Sequence, residues 1–157
     1  MKKTNLMIIV LSPVILGILF NNFLVLIPLF IFVAPFLMIV YWFFAGTKFA
    51  EHVLSPVKAV LMANAIGIIS LLLYYWQFTI VSDAERSLLI AGFSQMFSAP
   101  LSYFSAVIGY LFTESPEEIS LVMQVIGLIL MIIVFLSGYL YRKNNLRKQV
   151  SKSVHAE

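Results

Sequence analysis

Uncharged, mostly apolar stretches alternate with short charged segments along this chain. Residues 4–47, 59–82, 87–113 and 119–141 contain no Asp, Glu, Lys or Arg, and these stretches are 44, 24, 27 and 23 residues long. A helix needs about 20 apolar residues to cross the hydrocarbon of a bilayer, so each stretch is long enough to do so. The pattern predicts an all-α integral membrane protein.

The first stretch is long enough for two helices across a membrane. A single helix of about 40 residues would extend roughly 60 Å, which is twice the hydrocarbon thickness. Asn21-Asn22 is the strongly polar pair inside the stretch, and it predicts a turn between a span over 5–20 and a span over 23–45. The alternative is a turn at Ile27-Pro28, which leaves both asparagines inside the first span at an energetic cost. The first residues resemble the start of a secretory signal, but no small-x-small cleavage site follows, so we expect the first span to stay uncleaved.

Helix-start signals come before two further spans. Ser55-Pro56 has the arrangement of an N-cap residue followed by proline at the first helical position, and it predicts a span over 57–81. Ser115-Pro116 has the same arrangement and predicts a span over 116–141.

The stretch 87–113 is ambiguous because its length favours a crossing and the surrounding charges oppose one. It holds five Ser, one Gln and one Thr, and Ala99-Pro100 interrupts it. If it does not cross and the N-terminus is cytoplasmic, nine of the ten basic residues lie on the cytoplasmic side. If it crosses, the basic segment from Arg142 lies outside, against the positive-inside rule. We therefore predict four transmembrane helices plus a re-entrant or interfacial helix pair between the third and fourth, hinged near Pro100, with five spans as the alternative.

Composition narrows the class of protein further. Apolar residues make up 62% and charged residues 11% of the chain, and the mean hydropathy is +1.02, which excludes an ordinary soluble domain. The net charge of +3 reflects basic residues that flank apolar spans, so it indicates topology in a cell membrane and not nucleic-acid binding. Without Cys there are no disulfides or thiolate metal sites. We expect one transmembrane domain over 1–145 with both termini cytoplasmic, and a basic tail over 146–157 that attracts anionic lipid headgroups.

Uncharged polar side chains inside the spans are the candidates for a binding site. By rise per residue, Gln77, Gln95 and Gln124 all lie in the outer half of the membrane, and Ser94 and Ser98 are near Gln95 in sequence. One role for them is an outward-facing polar pocket for an uncharged or zwitterionic group. The favoured role for polar side chains within spans is hydrogen bonding between helices, worth about 0.6–2 kcal/mol per contact.

Small residues form two stripes that permit close helix contact. Ala59, Ala63 and Gly67 recur at every fourth position beside Asn64, and this motif predicts helix packing, with ligand binding by Asn64 as the alternative. The second stripe fits either a packed helix face or the lining of a channel. It consists of Ser87, Ala91, Ser94, Ser98, Ser102, Ser105 and Gly109.

No catalytic site can be assembled from this sequence. In the predicted topology no charged residue lies inside the membrane, and the neighbours Glu51 and His52 do not face each other on a helix. No metal-ligand spacing or nucleotide fingerprint occurs. We expect a non-catalytic protein, without cofactor or metal, that packs against a membrane partner or a second copy of itself as an accessory or immunity-like protein. The alternative is a small transporter or channel with a pocket lined by serine and glutamine.

Overall fold

The structure is a computed structural model that describes residues 3–52 and 54–154. Six α-helices make up most of these residues, and the described part of the chain contains no strand. The helices are α1 (Lys3–Leu26), α2 (Phe30–Ala50), α3 (Pro56–Tyr75), α4 (Leu88–Met96), α5 (Ser102–Gly109) and α6 (Pro116–Val154). A π-helical turn (Trp76–Ile80) extends α3, and a 3₁₀ turn (Ala99–Leu101) lies between α4 and α5.

Three helical segments in the described residues are long and apolar enough to cross a membrane. They are Phe30–Ala50, Pro56–Ile80 and Glu118–Gln149. Helix α1 contributes a shorter apolar segment, Leu6–Asn22. The prediction of an all-helical membrane protein is thereby confirmed.

The predicted turn at Asn21-Asn22 is wrong, because α1 continues through both residues to Leu26. The side-chain amides find partners within the helices: Asn22 Nδ2 donates to the carbonyl oxygen of Ile18 at 2.8 Å, and Asn21 Nδ2 lies 3.1 Å from Met96 Sδ. The chain turns at the alternative position, around Pro28, since proline lacks the N–H that a continuing helix needs. The first two helices are therefore Lys3–Leu26 and Phe30–Ala50, and not 5–20 and 23–45.

The last helix is longer than predicted. Helix α6 passes Tyr141 and continues to Val154, so residues 146–154 of the predicted tail are helical. Residues 142–154 contain neither Gly nor Pro, the two residue types that most disfavour a helix interior. Their Lys and Arg side chains also stabilise the negative end of the helix dipole.

The directions of the main helices follow from paired contacts at their ends. At one end Tyr139 Oη donates to the carbonyl oxygen of Leu54 at 2.6 Å, and at the other Tyr74 and Ser120 line the same cavity. Helices α3 and α6 therefore run antiparallel. We call the end that holds the last turn of α3 and the first turn of α6 the Gln77 end, and the opposite end, where α2 finishes, the Glu51 end.

Helix α4 runs back along α3 from the Gln77 end. The backbone N–H of Ser87 donates to Gln77 Oε1 at 2.9 Å. After the last turn of α4, the ring of Phe97 lies so close to Gly67, midway along α3, that an added methyl group there would be 2.4 Å from a ring carbon. The first arm of this segment thus descends from the Gln77 end to the middle of the bundle.

Helix α5 returns towards the Gln77 end along α6. Ser105 lies against Gly127, and Gly109 lies against Ile119, near the start of α6. Helices α4 and α5 therefore form a helical hairpin whose bend, at residues 97–101, lies in the interior of the bundle. Both ends of this hairpin are at the Gln77 end.

Helices α2 and α6 make the most extensive contact in the bundle. A methyl group added at Gly46 would lie 2.1 Å from the carbonyl oxygen of Phe135, and one added at Gly138 would lie 2.0 Å from that of Phe43. Only glycine allows two backbones to approach so closely. The core is continuous with this contact and contains five buried aromatic side chains: Trp42, Phe49, Phe97, Phe135 and Tyr139.

Candidate functional site

A polar cavity of about 250 Å³ lies beside the bend of the hairpin. Four parts of the fold form its walls: α1, α4, the bend with the start of α5, and α6. Its polar lining consists of five uncharged side chains, and the other lining residues are apolar or small. The lining residues are Phe20, Asn21, Gly92, Gln95, Met96, Ser98, Ala99, Ser102, Met123 and Gln124.

Several polar side chains in the lining are fixed by hydrogen bonds to neighbouring helices or to their own helix. Ser98 Oγ donates to Gln124 Oε1, which joins the bend of the hairpin to α6. Gln95 Nε2 donates to the carbonyl oxygen of Ala91 at 3.1 Å. These bonds set the orientation of both amides and leave the Nε2 group of Gln124 and the Oε1 atom of Gln95 for a further partner.

The electrostatics of this cavity are those of a neutral site. None of its described lining residues carries a charge, so it offers amide and hydroxyl dipoles alone. A polar group in an apolar environment costs free energy unless it finds a hydrogen-bond partner. The cavity is large enough for about eight water molecules at about 30 Å³ each, or for a small polar molecule of similar volume.

Three of the five predicted pocket residues meet at this cavity: Gln95, Ser98 and Gln124. Ser94 is fully buried and turned towards its own helix, where its Oγ donates to the carbonyl oxygen of Ala91 at 2.7 Å. Gln77 lies elsewhere, at the junction of α3 and α4. There its Oε1 accepts from the N–H of Ser87.

Two polar residues of the lining were missing from the predicted pocket: Asn21 and Ser102. Asn21 was expected in a turn between spans, and only the continuation of α1 brings it to the cavity. Ser102 belonged to the second small-residue stripe, and its position one turn after Ser98 was the available signal.

Beneath the cavity the bundle is closed by apolar side chains. Phe97 and Leu101 are interleaved with lining residues in sequence but are buried in the core. Phe97 makes an edge-to-face contact with Trp42, with ring centroids 6.3 Å apart. This apolar floor separates the cavity from the Glu51 end.

The first small-residue stripe lies inside the protein, in contact with its own helices. Ala59, Ala63 and Asn64 are fully buried, and Gly67 lies beneath the ring of Phe97. Asn64 Nδ2 donates to the carbonyl oxygen of Val60 at 3.0 Å, while its Oδ1 is buried without a partner in the described part of the chain. The stripe is thus occupied by intramolecular packing.

Known proteins do not identify the site. Comparisons with protein-family models, with curated proteins and with solved structures find no match to this chain. Among residues 3–52 and 54–154 there is no cluster of three or more His, Cys, Asp or Glu side chains that could hold a metal ion. The interpretation of the site therefore depends on its own geometry.

Proposed function

We propose that this protein is a small, non-catalytic membrane transporter that binds an uncharged or zwitterionic polar solute in the cavity at the hairpin bend. The observation that carries the proposal is the meeting of five uncharged polar side chains from separate parts of the fold in one cavity. Ligand sites in proteins are cavities in which a small number of polar groups fix the orientation of the ligand, and they occur between the helices of bundles. A solute with its own donors and acceptors would satisfy the free amide and hydroxyl groups of Gln95, Ser102 and Gln124.

We propose a four-span arrangement in the cell membrane, in which α1, α2, α3 and α6 cross and the hairpin enters and leaves on the outer side. Two observations support it: both ends of the hairpin are at the Gln77 end, and the cations Lys48, Arg142 and Lys143 are at the Glu51 end. Basic residues favour the cytoplasmic side. Both termini are cytoplasmic in this arrangement.

The apolar floor gives the proposed transporter a closed inner side. In the arrangement proposed here the cavity is on the outer side of Phe97 and Leu101, and these side chains block the route to the Glu51 end. Movement of the hairpin bend relative to α6 would be needed for a solute to pass. Discontinuous helices at the middle of the membrane are a recurring feature of transporter binding sites.

Solute entry into vesicles tests the proposal. The purified protein is reconstituted in phosphatidylcholine vesicles, and glycerol, urea or glycine is applied as the osmolyte while light scattering reports re-swelling. We expect at least one of the three solutes to enter faster than in protein-free vesicles. Gln124→Leu removes a lining amide that also joins α6 to the bend, so vesicles with this variant should re-swell at the protein-free rate.

Ile129→Ala is the matched control, because Ile129 lies on the same helix and is 49% exposed on its outer face. This variant should keep the rate of the unmodified protein. Entry of all three solutes at the protein-free rate would contradict the proposal. Equal losses in the two variants would show that the effect comes from α6 as a whole and not from the cavity.

A second candidate function is packing against a membrane partner or a second copy of the chain. The observation that favours it is the exposure of Leu88, Leu89, Leu111 and Phe112 at the two ends of the hairpin, where these side chains are 71–85% accessible. The paired change Leu111→Ala and Phe112→Ala should then remove a stoichiometric partner from the purified complex, while Gln124→Leu should retain it. The reverse result would exclude this role.

A further inference from the structure

A second polar cavity, of about 520 Å³, lies at the Glu51 end. One wall is the end of α2 with the residue that follows it, and the other wall is the part of α6 beyond Tyr141. The lining residues are Ala50, Glu51, His52, Lys143, Leu146, Arg147 and Ser151. This cavity is separate from the one at the hairpin bend.

The α6 wall presents two cations and a hydroxyl group on one face. Lys143, Arg147 and Ser151 are spaced four residues apart, so they stand above one another on the helix surface. Over two turns this face extends about 12 Å. A ligand in the cavity therefore meets a column of hydrogen-bond donors.

The single carboxylate in the lining is already neutralised by cations outside the cavity. Glu51 Oε1 is 3.1 Å from an Arg142 guanidinium nitrogen and 3.7 Å from Lys48 Nζ. Arg147 makes no ion pair within the described residues, and its side chain is exposed. The cavity thus presents a net positive charge to a ligand.

Lys143 is positioned by the aromatic core. Its Nζ donates to Tyr139 Oη at 3.4 Å and stands 5.6 Å from the centroid of the Tyr139 ring. Tyr139 is itself fully buried and anchored to the carbonyl oxygen of Leu54. The ammonium group is therefore held at the Tyr139 side of this face and does not move freely in water.

We propose that this cavity is a binding site for a phosphate group, with the Arg147 guanidinium and the Lys143 ammonium on its oxygens and the Ser151 hydroxyl as a further donor. Guanidinium groups bind phosphate oxygens through two parallel hydrogen bonds. The site lies where α2 ends and where the uncharged stretch 119–141 of α6 is followed by basic residues, which is the depth of lipid headgroups in the proposed arrangement. The phosphate belongs to an anionic lipid headgroup or to a soluble phosphate, and the site does not depend on the proposed transport activity.

Lipid binding to the full chain in detergent is measured by native mass spectrometry with phosphatidylglycerol and phosphatidylcholine as probes. We expect one phosphatidylglycerol to bind saturably, at least tenfold tighter than phosphatidylcholine. Arg147→Gln should weaken the binding of phosphatidylglycerol at least tenfold. Lys148→Gln removes the adjacent cation, which does not line the cavity, and should change the affinity less than twofold.

A second arm uses inorganic phosphate as the probe for a soluble ligand. Sodium phosphate should raise the thermal unfolding midpoint relative to sodium chloride of equal ionic strength, and Arg147→Gln should remove the rise while Lys148→Gln keeps it. Specific binding in either arm supports the proposal, and the arm that responds identifies the source of the phosphate.

Two results would contradict the proposed phosphate site. One is the absence of saturable binding in both arms. The other is an equal loss in Arg147→Gln and Lys148→Gln, which would indicate diffuse attraction to the basic helix. Arg147 is exposed and Gln is a good helix former, so both variants should keep the circular dichroism of the unmodified protein.

Discussion

Glycine residues decide how closely the helices of this protein approach one another. Gly46 and Gly138 meet the backbone of the facing helix reciprocally, and Gly67 accommodates the ring of Phe97. In a membrane the attraction between helices comes from van der Waals packing and hydrogen bonds, because the lipid is as apolar as the helices. Each of these glycines therefore supports contacts that a larger residue would prevent.

Gly138→Ala should destabilise the protein, because the new methyl group would lie 2.0 Å from the carbonyl oxygen of Phe43. Separating the backbones of α2 and α6 should cost about 1–3 kcal/mol of unfolding free energy. Gly92→Ala is the control, since a methyl group there meets nothing within 4 Å, and it should be neutral or stabilise by up to about 1 kcal/mol. Unfolding in sodium dodecyl sulfate measures the unfolding free energy of both variants. Equal stability of the two variants would show that α2 and α6 have room for a methyl group at Gly138.

Single residues differ in how far the sequence predicts their environment. Gly67 could be identified from its spacing to Ala59 and Ala63. Gly138 could not, because its neighbours four residues away are Val134 and Arg142, and its role is set by the backbone of α2. A contact between two helices far apart in sequence depends on how both helices are rotated about their axes. The local sequence of either helix does not determine these rotations.

The hairpin of α4 and α5 is the element on which the proposed function depends. Its bend carries Ser98, its arms carry Gln95 and Ser102, and α6 closes the cavity with Gln124. The Ser98–Gln124 hydrogen bond and the contact of Ser105 with Gly127 hold the bend and second arm on α6. Non-helical backbone at such a bend is tolerated in a membrane where it is buried in protein or faces water.

The hairpin predicts that the loops before and after it are on the same side of the membrane. The chain has no Cys, so Ala84→Cys and Glu114→Cys each introduce a single thiol at an exposed loop position. In intact cells a membrane-impermeant maleimide should label both, while Asn144→Cys on the exposed face of α6 should require permeabilisation. Labelling of Ala84→Cys and Glu114→Cys from opposite sides would show that the segment crosses.

At the scale of elements, the sequence predicted the interruption of the stretch 87–113 but not the course of α1. Ala99-Pro100 interrupts that stretch, and the structure places two short helices there. The asparagine pair misled the prediction because a helix can satisfy such amides internally, as Asn22 shows with Ile18. Gln77 was assigned by depth alone, and its position in a π-helical turn directs it to Ser87.

The whole molecule has polar cavities at two levels with an aromatic core between them. The cavity at the hairpin bend is neutral, the one at the Glu51 end is basic, and Trp42, Phe97 and Phe135 lie in the core that separates them. The membrane class followed from the alternation of apolar and charged segments. The sequence identified Gln95, Ser98 and Gln124 at the hairpin bend. The rest of the two linings could not be predicted, because each cavity is formed by residues from helices far apart in sequence.

In the proposed arrangement the cavity at the hairpin bend is polar and open to water from the outer side. Ser102→Cys tests this access with a small membrane-impermeant methanethiosulfonate applied to intact cells, since a thiol reacts only where it can ionise. Val107→Cys is the control. Val107 is on the same helix, and it is 54% exposed on the apolar outer face of that helix, away from the cavity. Ser102→Cys should react at least tenfold faster than Val107→Cys. Equal rates, or no reaction at Ser102→Cys, would contradict the proposed access from the outer side.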